Sequence, residues 1–335
     1  MYTIFYKEAK LIILGSSILS CGGGLSYKDQ MSCLDSLYIK RGIKVIQLNE
    51  LASLPSDLVY VTASELGPAD KPPINKAKIP EMIKLFSKRT GKKIGGILPV
   101  EVGQEAIAFD AALQSGLPII NSDLAGLRAV PKASLNGLKM QNVPFTRSPL
   151  VVLTATGKVS YIDKNTTLEE DEKQLRQIAE DTKDVIFIVG GLITSKMILK
   201  YLNHSSLTIT SQIGKSIDSG ENFTKKVPLH LVYSTNGKIK KIMKINEVGF
   251  SEKQVYIETS FKEDNLCTLT IKNEYMKIVG NNIKFQFPQL ITLFSNEKKR
   301  GLSASDLEEG MLVEINIFDP LPFWSNYYSN NNLYE

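Results

Sequence analysis

Histidine is nearly absent from this chain: among 335 residues only His204 and His230 occur. Sites built from several imidazoles are therefore excluded, and a histidine-dependent triad would have to use one of these two. His204 falls in the turn Leu202-Asn-His-Ser-Ser206 between two expected helices and His230 in an apolar run expected to be a strand, so both read as structural. Cysteine is equally sparse. Cys21, Cys33 and Cys267 are odd in number, widely spaced and without a CxxC, which argues against a disulfide framework or a zinc knuckle and fits a reducing, cytoplasmic setting. Long apolar runs are missing too: nothing approaches the ~18 uninterrupted residues of a membrane span. One segment imitates a lipoprotein leader, with Lys7 and Lys10 before Leu11–Leu19 and Ile18-Leu-Ser-Cys21 resembling a cleavage box. Glu8 spoils the positive leader, the apolar stretch is short, and cleavage would discard the residues that lead into the glycine loop described below. Neither membrane attachment nor export is expected.

What is present is enough apolar residue, 43% of the chain, for two domains with cores of their own. The net charge of +5 is unevenly placed. From Lys225 to Arg300 there are 14 basic and 7 acidic residues, so this part carries +7 and the remainder −2. Nucleic-acid binding is the obvious alternative for such a segment. Its lysines alternate with apolar residues, as in Lys238-Ile-Lys-Lys-Ile-Met-Lys244, which is the period of strands with one solvated face, and no nucleic-acid partner is expected.

Periodicity divides the chain into an α/β part, 1–218, a β-rich part, 219–325, and a tail, 326–335, expected to fray. In the first part an apolar helix over Phe5–Leu19 and a second over Lys28–Arg41 flank the run Cys21-Gly-Gly-Gly24. Short apolar strands (Ile43–Leu48, Leu58–Ala63, Gly95–Val100, Leu117–Asn121) then alternate with helices (Ile79–Thr90, Glu105–Ser115), the pattern of a layered α/β domain with a largely parallel sheet. A hairpin over Leu150–Ile162 turning at Thr156-Gly157, a helix from Leu168 opened by the capping box Thr167-Leu-Glu-Glu170, a strand Asp184–Val189 running into Gly190-Gly191 and two further helices complete it. Beyond Ser219 helix signals give way to alternating segments such as Val255–Ser260 and Cys267–Ile271.

Three successive glycines, Gly22, Gly23 and Gly24, place backbone amides where no side chain shields them, and the triplet reads either as an anion-holding nest or as a turn that lets elements pack closely. Loops at the carboxyl ends of the strands supply the remaining candidates, since open α/β sheets bind ligands along that edge. Glu101 lies in Pro99-Val-Glu-Val-Gly103, among apolar residues that would raise its pKa toward that of a general base; the alternative is an acid capping the helix that starts near Gly103. Asp123 ends Asn121-Ser-Asp123 and suits a second carboxylate or a metal ligand, and Arg128 suits an oxyanion or substrate carboxylate; a loop salt bridge between the two is the alternative. Glu65, in Ser64-Glu-Leu-Gly-Pro68, is a fainter candidate.

In order, the apolar helix into a glycine run, Leu98-Pro-Val-Glu-Val-Gly103, Gly116-Leu-Pro-Ile-Ile-Asn-Ser-Asp123, Arg128-Ala-Val-Pro131 and the late Gly301–Met311 and Pro320-Leu-Pro-Phe-Trp324 resemble the S-methyl-thiohydantoin desulfurase-like family over about residues 9–324. The resemblance implies an N-terminal α/β and a C-terminal β-rich domain. It also implies an enzyme that attacks a small cyclic amide or thiohydantoin ring, with Glu101, Asp123 and Arg128 as matching catalytic candidates and Gly22–Gly24 and Gly103 facing substrate. Family members occur alone or joined to hydantoinase/oxoprolinase-type proteins, so such a protein is a possible partner, as is a second copy of the chain. A divalent metal is a possible cofactor. The chain departs from the family pattern where Gly24 is followed by Leu25-Ser-Tyr27, where Gly103-Gln-Glu105 replaces Gly-Gly and a nearby Asn, and where Asn121 replaces an acid. These departures favour the alternative of a non-catalytic ligand-binding or regulatory subunit.

Overall fold

The computed structural model describes residues 1–37, 42–67, 76–132, 134–163, 167–246, 252–259, 266–280 and 283–327. The chain opens with β1 (Tyr2–Ile4), α1 (Tyr6–Leu19), α2 (Tyr27–Ser36), β2 (Ile43–Ile46), the single turn α3 (Leu48–Leu51) and β3 (Leu58–Leu66). Next come α4 (Ile79–Thr90), β4 (Lys93–Pro99), α5 (Glu105–Ser115), β5 (Ile119–Ile120), the short α6 (Gly137–Met140), β6 (Leu150–Thr154) and β7 (Val159–Ile162). The first half closes with α7 (Leu168–Thr182), β8 (Ile186–Thr194), α8 (Ser195–Tyr201) and α9 (Ser206–Asp218). The helices expected over 79–90 and 105–115 occupy those residues, and each ends where Gly91 or Gly116 takes a left-handed φ that stops it.

These strands form one eight-stranded sheet in the order β1-β2-β5-β4-β3-β8-β6-β7. Its centre, β2-β5-β4-β3, is parallel, as the alternation of apolar strands and helices predicts, and antiparallel strands flank it on both sides. Gly190 and Gly191, expected after a strand, lie inside β8: Gly190 pairs with both Thr62 and Leu150, and the absence of a side chain there admits Leu150.

The second half is all antiparallel: β9 (Leu231–Asn246), β10 (Glu252–Glu258), β11 (Leu266–Lys272), β12 (Glu274–Gly280), β13 (Ile283–Gln286), β14 (Leu290–Ser295), β15 (Arg300–Gly301) and β16 (Leu312–Phe318). Their order is β13-β12-β11-β10-β9-β16-β14-β15. Expected helix α2 stops at Ser36, and 38–41 lie outside the described residues. His230, expected within a strand, is exposed just before β9, with Nδ1 3.0 Å from Asp319. Of the tail expected to fray, 328–335 lies outside the described residues, whereas Tyr327 packs its ring 4.8 Å from Phe287.

α1 joins the two halves. Nearly every residue from Ala9 to Leu19 is buried, because one flank lies on α9 and another on the second sheet. Gly15 and Gly214 make the α1–α9 approach possible: a Cβ on Gly15 would sit 1.8 Å from the Thr210 carbonyl oxygen and one on Gly214 1.9 Å from that of Leu11. Ser17 Oγ accepts the Gly301 N–H at 3.0 Å, and Leu14, Ile18, Ile213, Phe294 and Phe318 share one apolar cluster. The residues after α1 are thereby held against the second sheet.

Candidate functional site

Because β3, β4 and β5 run parallel, Glu65, Glu101 and Asn121–Asp123 emerge at one edge of the first sheet. Glu101, two residues past β4, is buried. Its Oε2 accepts the Val130 N–H at 2.9 Å and its Oε1 the Gln104 Nε2 at 2.7 Å. Burial pushes its carboxyl up to about 7, the two hydrogen bonds oppose that, the charge of Asp123 adds to it and Arg147 opposes it. Glu101 does not cap α5, whose N-cap Gln104 makes no side-chain capping bond; Glu105, the first residue of α5, accepts the Gly103 N–H through Oε2 at 2.9 Å, and burial raises its carboxyl to about 8. Gln104 also accepts the Glu65 N–H at 3.4 Å, which ties Glu65 to the site.

The glycine run leaves the carboxyl end of α1, not a helix amino end. Gly23 N–H donates to the Ser20 carbonyl at 2.9 Å and so caps α1. The Cys21 and Gly22 carbonyls accept from Tyr275 (2.8 Å) and Ala304 (2.9 Å) of the second half, and the Gly103 carbonyl accepts the Leu25 N–H at 2.9 Å. Side chains are excluded by contact: a Cβ on Gly22 would lie 2.4 Å from the Tyr275 ring, one on Gly23 2.4 Å from Glu274, and one on Gly24 2.7 Å from the Gly103 oxygen. Positive φ at Gly22 and Gly24 completes the turn. The close-packing reading of the triplet is therefore realised; Gly23's amide is engaged, and Gly24 is exposed.

Asp123 is wholly buried and fully employed. Its Oδ1 accepts the Gly126 N–H at 2.5 Å, and Oδ2 accepts that of Leu127 at 3.1 Å and lies 2.8 Å from His204 Nε2. Sequence reasoning left His204 out of this group. The salt bridge considered between Asp123 and Arg128 is absent among the described residues, because Asp123 folds back on its own loop. Asn121 is likewise structural: Nδ2 donates to Gln47 Oε1 (2.6 Å) and Thr208 Oγ1 (2.8 Å), and Oδ1 accepts the Thr208 N–H in the first turn of α9. Arg128 is wholly buried between two aromatic rings, its guanidinium carbon 4.1 Å from the Phe287 centroid and 5.1 Å from that of Trp324. Nε donates to the Ala129 carbonyl and Nη1 to that of Pro288, while Nη2 has no partner among the described residues.

Two further charged residues complete the group, and neither carries a recognisable motif. Glu274, the first residue of β12, is buried against Gly23, and its Oε2 has no partner among the described residues. Burial pushes its carboxyl well up, Glu101 adds to that and Arg128 opposes it. Arg147, just before β6, donates from Nη2 to Ser64 Oγ at 2.8 Å, while Nε has no partner among the described residues. Burial disfavours its charge; Glu172, Asp171 and Glu101 offset that. Arg147 was signalled weakly by a charge standing beside an all-apolar strand. Glu274 had no signal, since an acid in a strand of alternating residues is ordinary.

The result is a seam between the halves in which Glu101, Glu274, Arg128 and Arg147 influence one another electrostatically. An open cleft of about 420 Å³ lies elsewhere, lined by Leu51, Leu54, Ser195 and Leu199 among others. Among the described residues no group of three or more His, Cys, Asp or Glu has a metal-holding arrangement, and no helix is long and apolar enough to cross a membrane.

No curated protein matches this chain. A crystal structure of a protein from Chromobacterium violaceum shares the fold over 99% of this chain and 98% of its own, with a TM-score of 0.78 at 14% identity. The sequence model of the S-Me-THD-like N-terminal domain matches residues 7–164, and that of the S-Me-THD-like C-terminal domain matches residues 166–328. With both domain models satisfied in order along nearly its whole length, the chain belongs to the S-Me-THD-like family.

Proposed function

We propose that the chain is a hydrolase acting on a small S-methyl-thiohydantoin or related cyclic amide, with Glu101 as general base. The observation that carries this reading is Glu101 itself: a buried carboxyl raised to about 7, held from two sides by Gln104 and Val130, and bordered by buried arginines. A base whose pKa lies near neutrality combines a useful ionised fraction with real proton affinity. Water attacks the ring carbon that bears the S-methyl group and gives a proton to Glu101 as the C–O bond forms. The negative charge that develops on the ring is met by Arg128 and Arg147. The C–S bond then breaks, and the proton returns to the departing thiolate, leaving methanethiol and a hydantoin. On a plain cyclic amide the same attack on a ring carbonyl breaks C–N and opens the ring.

Asp123 is not given a chemical step in this scheme, because its oxygens hold the 123–127 loop. It positions Arg128 by holding the loop that carries it. A second reading, a ligand-binding subunit for a hydantoinase/oxoprolinase-type partner, draws support from Asn121, an amide spent on α9 where the family pattern has an acid.

Mass spectrometry of the purified chain with S-methyl-thiohydantoins, hydantoins and 5-oxoproline tests the proposal. Methanethiol release or addition of water is expected, and Glu101→Gln is expected to lower turnover by roughly a hundredfold or more without loss of stability. A retained, unmodified adduct would support the binding subunit instead, and unchanged turnover in Glu101→Gln would remove Glu101 as the base.

A further inference from the structure

Two of the buried polar atoms left without partners, on opposite sides of the domain seam, have complementary chemistry. Arg128 Nη2 is a donor supplied by the first half, and Glu274 Oε2 belongs to a carboxyl supplied by the second. Each residue feels the other's charge, yet Arg128 Nη2 and Glu274 Oε2 are not hydrogen-bonded to each other. Leaving such atoms unpaired in a dry interior is costly, and most of all for charged groups, so their convergence on one seam points to a ligand with complementary chemistry. The rest of both residues is firmly placed. Arg128 is clamped by two carbonyls and two rings, and Glu274 is pressed against Gly23, beside Tyr275, which is itself tied through its N–H to Cys21 and through its hydroxyl to Leu302. The glycine run passes from buried Gly23 at Glu274 to exposed Gly24, so the seam lies next to the surface at that turn.

We infer that Glu274 and Arg128 together read the N–H and C=O edge of a cyclic amide, Glu274 Oε2 accepting the ring N–H and Arg128 Nη2 donating to the neighbouring carbonyl. This rests on the proposed ring substrate for its ligand class, but not on any chemical step. It assigns the second domain a direct part in recognition, with Glu274 as a substrate-positioning residue. It also accounts for Gly23: any side chain there would occupy the space that Glu274 takes to reach the seam.

Calorimetric titration of the wild-type chain with hydantoin, 1-methylhydantoin and 3-methylhydantoin tests this without a substitution that might disturb folding. One of the two N-methyl compounds is expected to bind at least roughly tenfold more weakly than hydantoin, since methylation removes the donor and leaves the carboxyl unpaired. Glu274→Met, which keeps the length and deletes the acceptor, is expected to reduce that ratio to within about twofold, with a melting temperature no lower than wild type's. Equal binding of all three ligands to wild type, or a wild-type ratio retained in Glu274→Met, would overturn the inference. Discrimination by N-methylation without any turnover would instead overturn the hydrolytic reading alone. Turnover indifferent to Glu274→Met would sink the recognition role and leave hydrolysis standing, and failure of every ligand in the panel to bind would remove both.

Discussion

The loop Asn121–Arg128 and the seam between Glu101 and Glu274 lie side by side, both are buried and both are rich in charge, but they are completed differently. In the loop, Asn121 and Asp123 spend their side-chain donors and acceptors on neighbouring backbone and side chains. Across the seam, Arg128, Arg147 and Glu274 each keep one buried atom without a partner among the described residues. A saturated buried polar group stabilises one conformation; an unsaturated one carries an energetic cost that calls for an explanation. Residue type alone would rank Asp123 and Glu274 alike. Their hydrogen bonds set them apart: Asp123 has partners on both oxygens, and Glu274 Oε2 has none among the described residues.

The sharpest way to break this contrast is Asp123→Ala. It leaves the N–H groups of Gly126 and Leu127 and the ring of His204 without their acceptor, so a loss of about 3 kcal/mol is expected in denaturant unfolding. A stability change close to zero would mean that the loop does not depend on Asp123. Gly23→Ala comes next, with an expected cost of about 1–3 kcal/mol, because its Cβ meets Glu274 at 2.4 Å. Pairing it with Glu274→Ala should recover much of that loss, and strictly additive unfolding energies would show that the two residues do not touch. Asn121→Asp restores the family's acid yet removes the amide donor to Gln47 and Thr208. It should cost roughly 1–2 kcal/mol and leave turnover no higher, and a gain in activity would show that the departure from the family pattern is chemical after all.

The last contrast is with pH. Glu101 and Glu105 have carboxyls raised from 4.5 to about 7 and about 8, and Glu274 is raised as well. The folded state therefore binds more protons than the unfolded one across that window. The stability this provides is full below about pH 4.5 and is lost as pH rises through about 7 to 8. Melting temperature should fall over that range, while turnover, which needs ionised Glu101, should rise through about pH 7. Parallel rather than opposed trends would contradict the assignment of Glu101 as base. Glu274→Met should flatten the stability profile and leave the activity limb in place.

Local pattern made much of this legible. The helices over 79–90 and 105–115, the hairpin at Thr156-Gly157 and the capping box at Thr167 follow from short-range rules, and the structure has them there. Glu101 was also recognisable, since an acid among apolar residues at the carboxyl end of a parallel strand is placed by strand polarity alone. The triplet Gly22–Gly24 was visible as a special turn, but the side chains it packs against, Tyr275 and Glu274, come some 250 residues later in the chain.

Sequence alone was enough for the main alternation of helices and strands, the parallel centre of the first sheet, the β-rich second half and the family, because these depend on periodicity, turn chemistry and the succession of motifs, whereas the short β1, α3 and α6 escaped it. Only the tertiary structure shows that Asp123 turns its carboxylate onto its own loop and His204, that Glu105 rather than Glu101 takes the Gly103 amide, and that Glu274 and Arg147 stand at the seam. The physical reason is that burial and hydrogen-bond satisfaction are properties of what a side chain meets, and these side chains meet partners brought by distant strands.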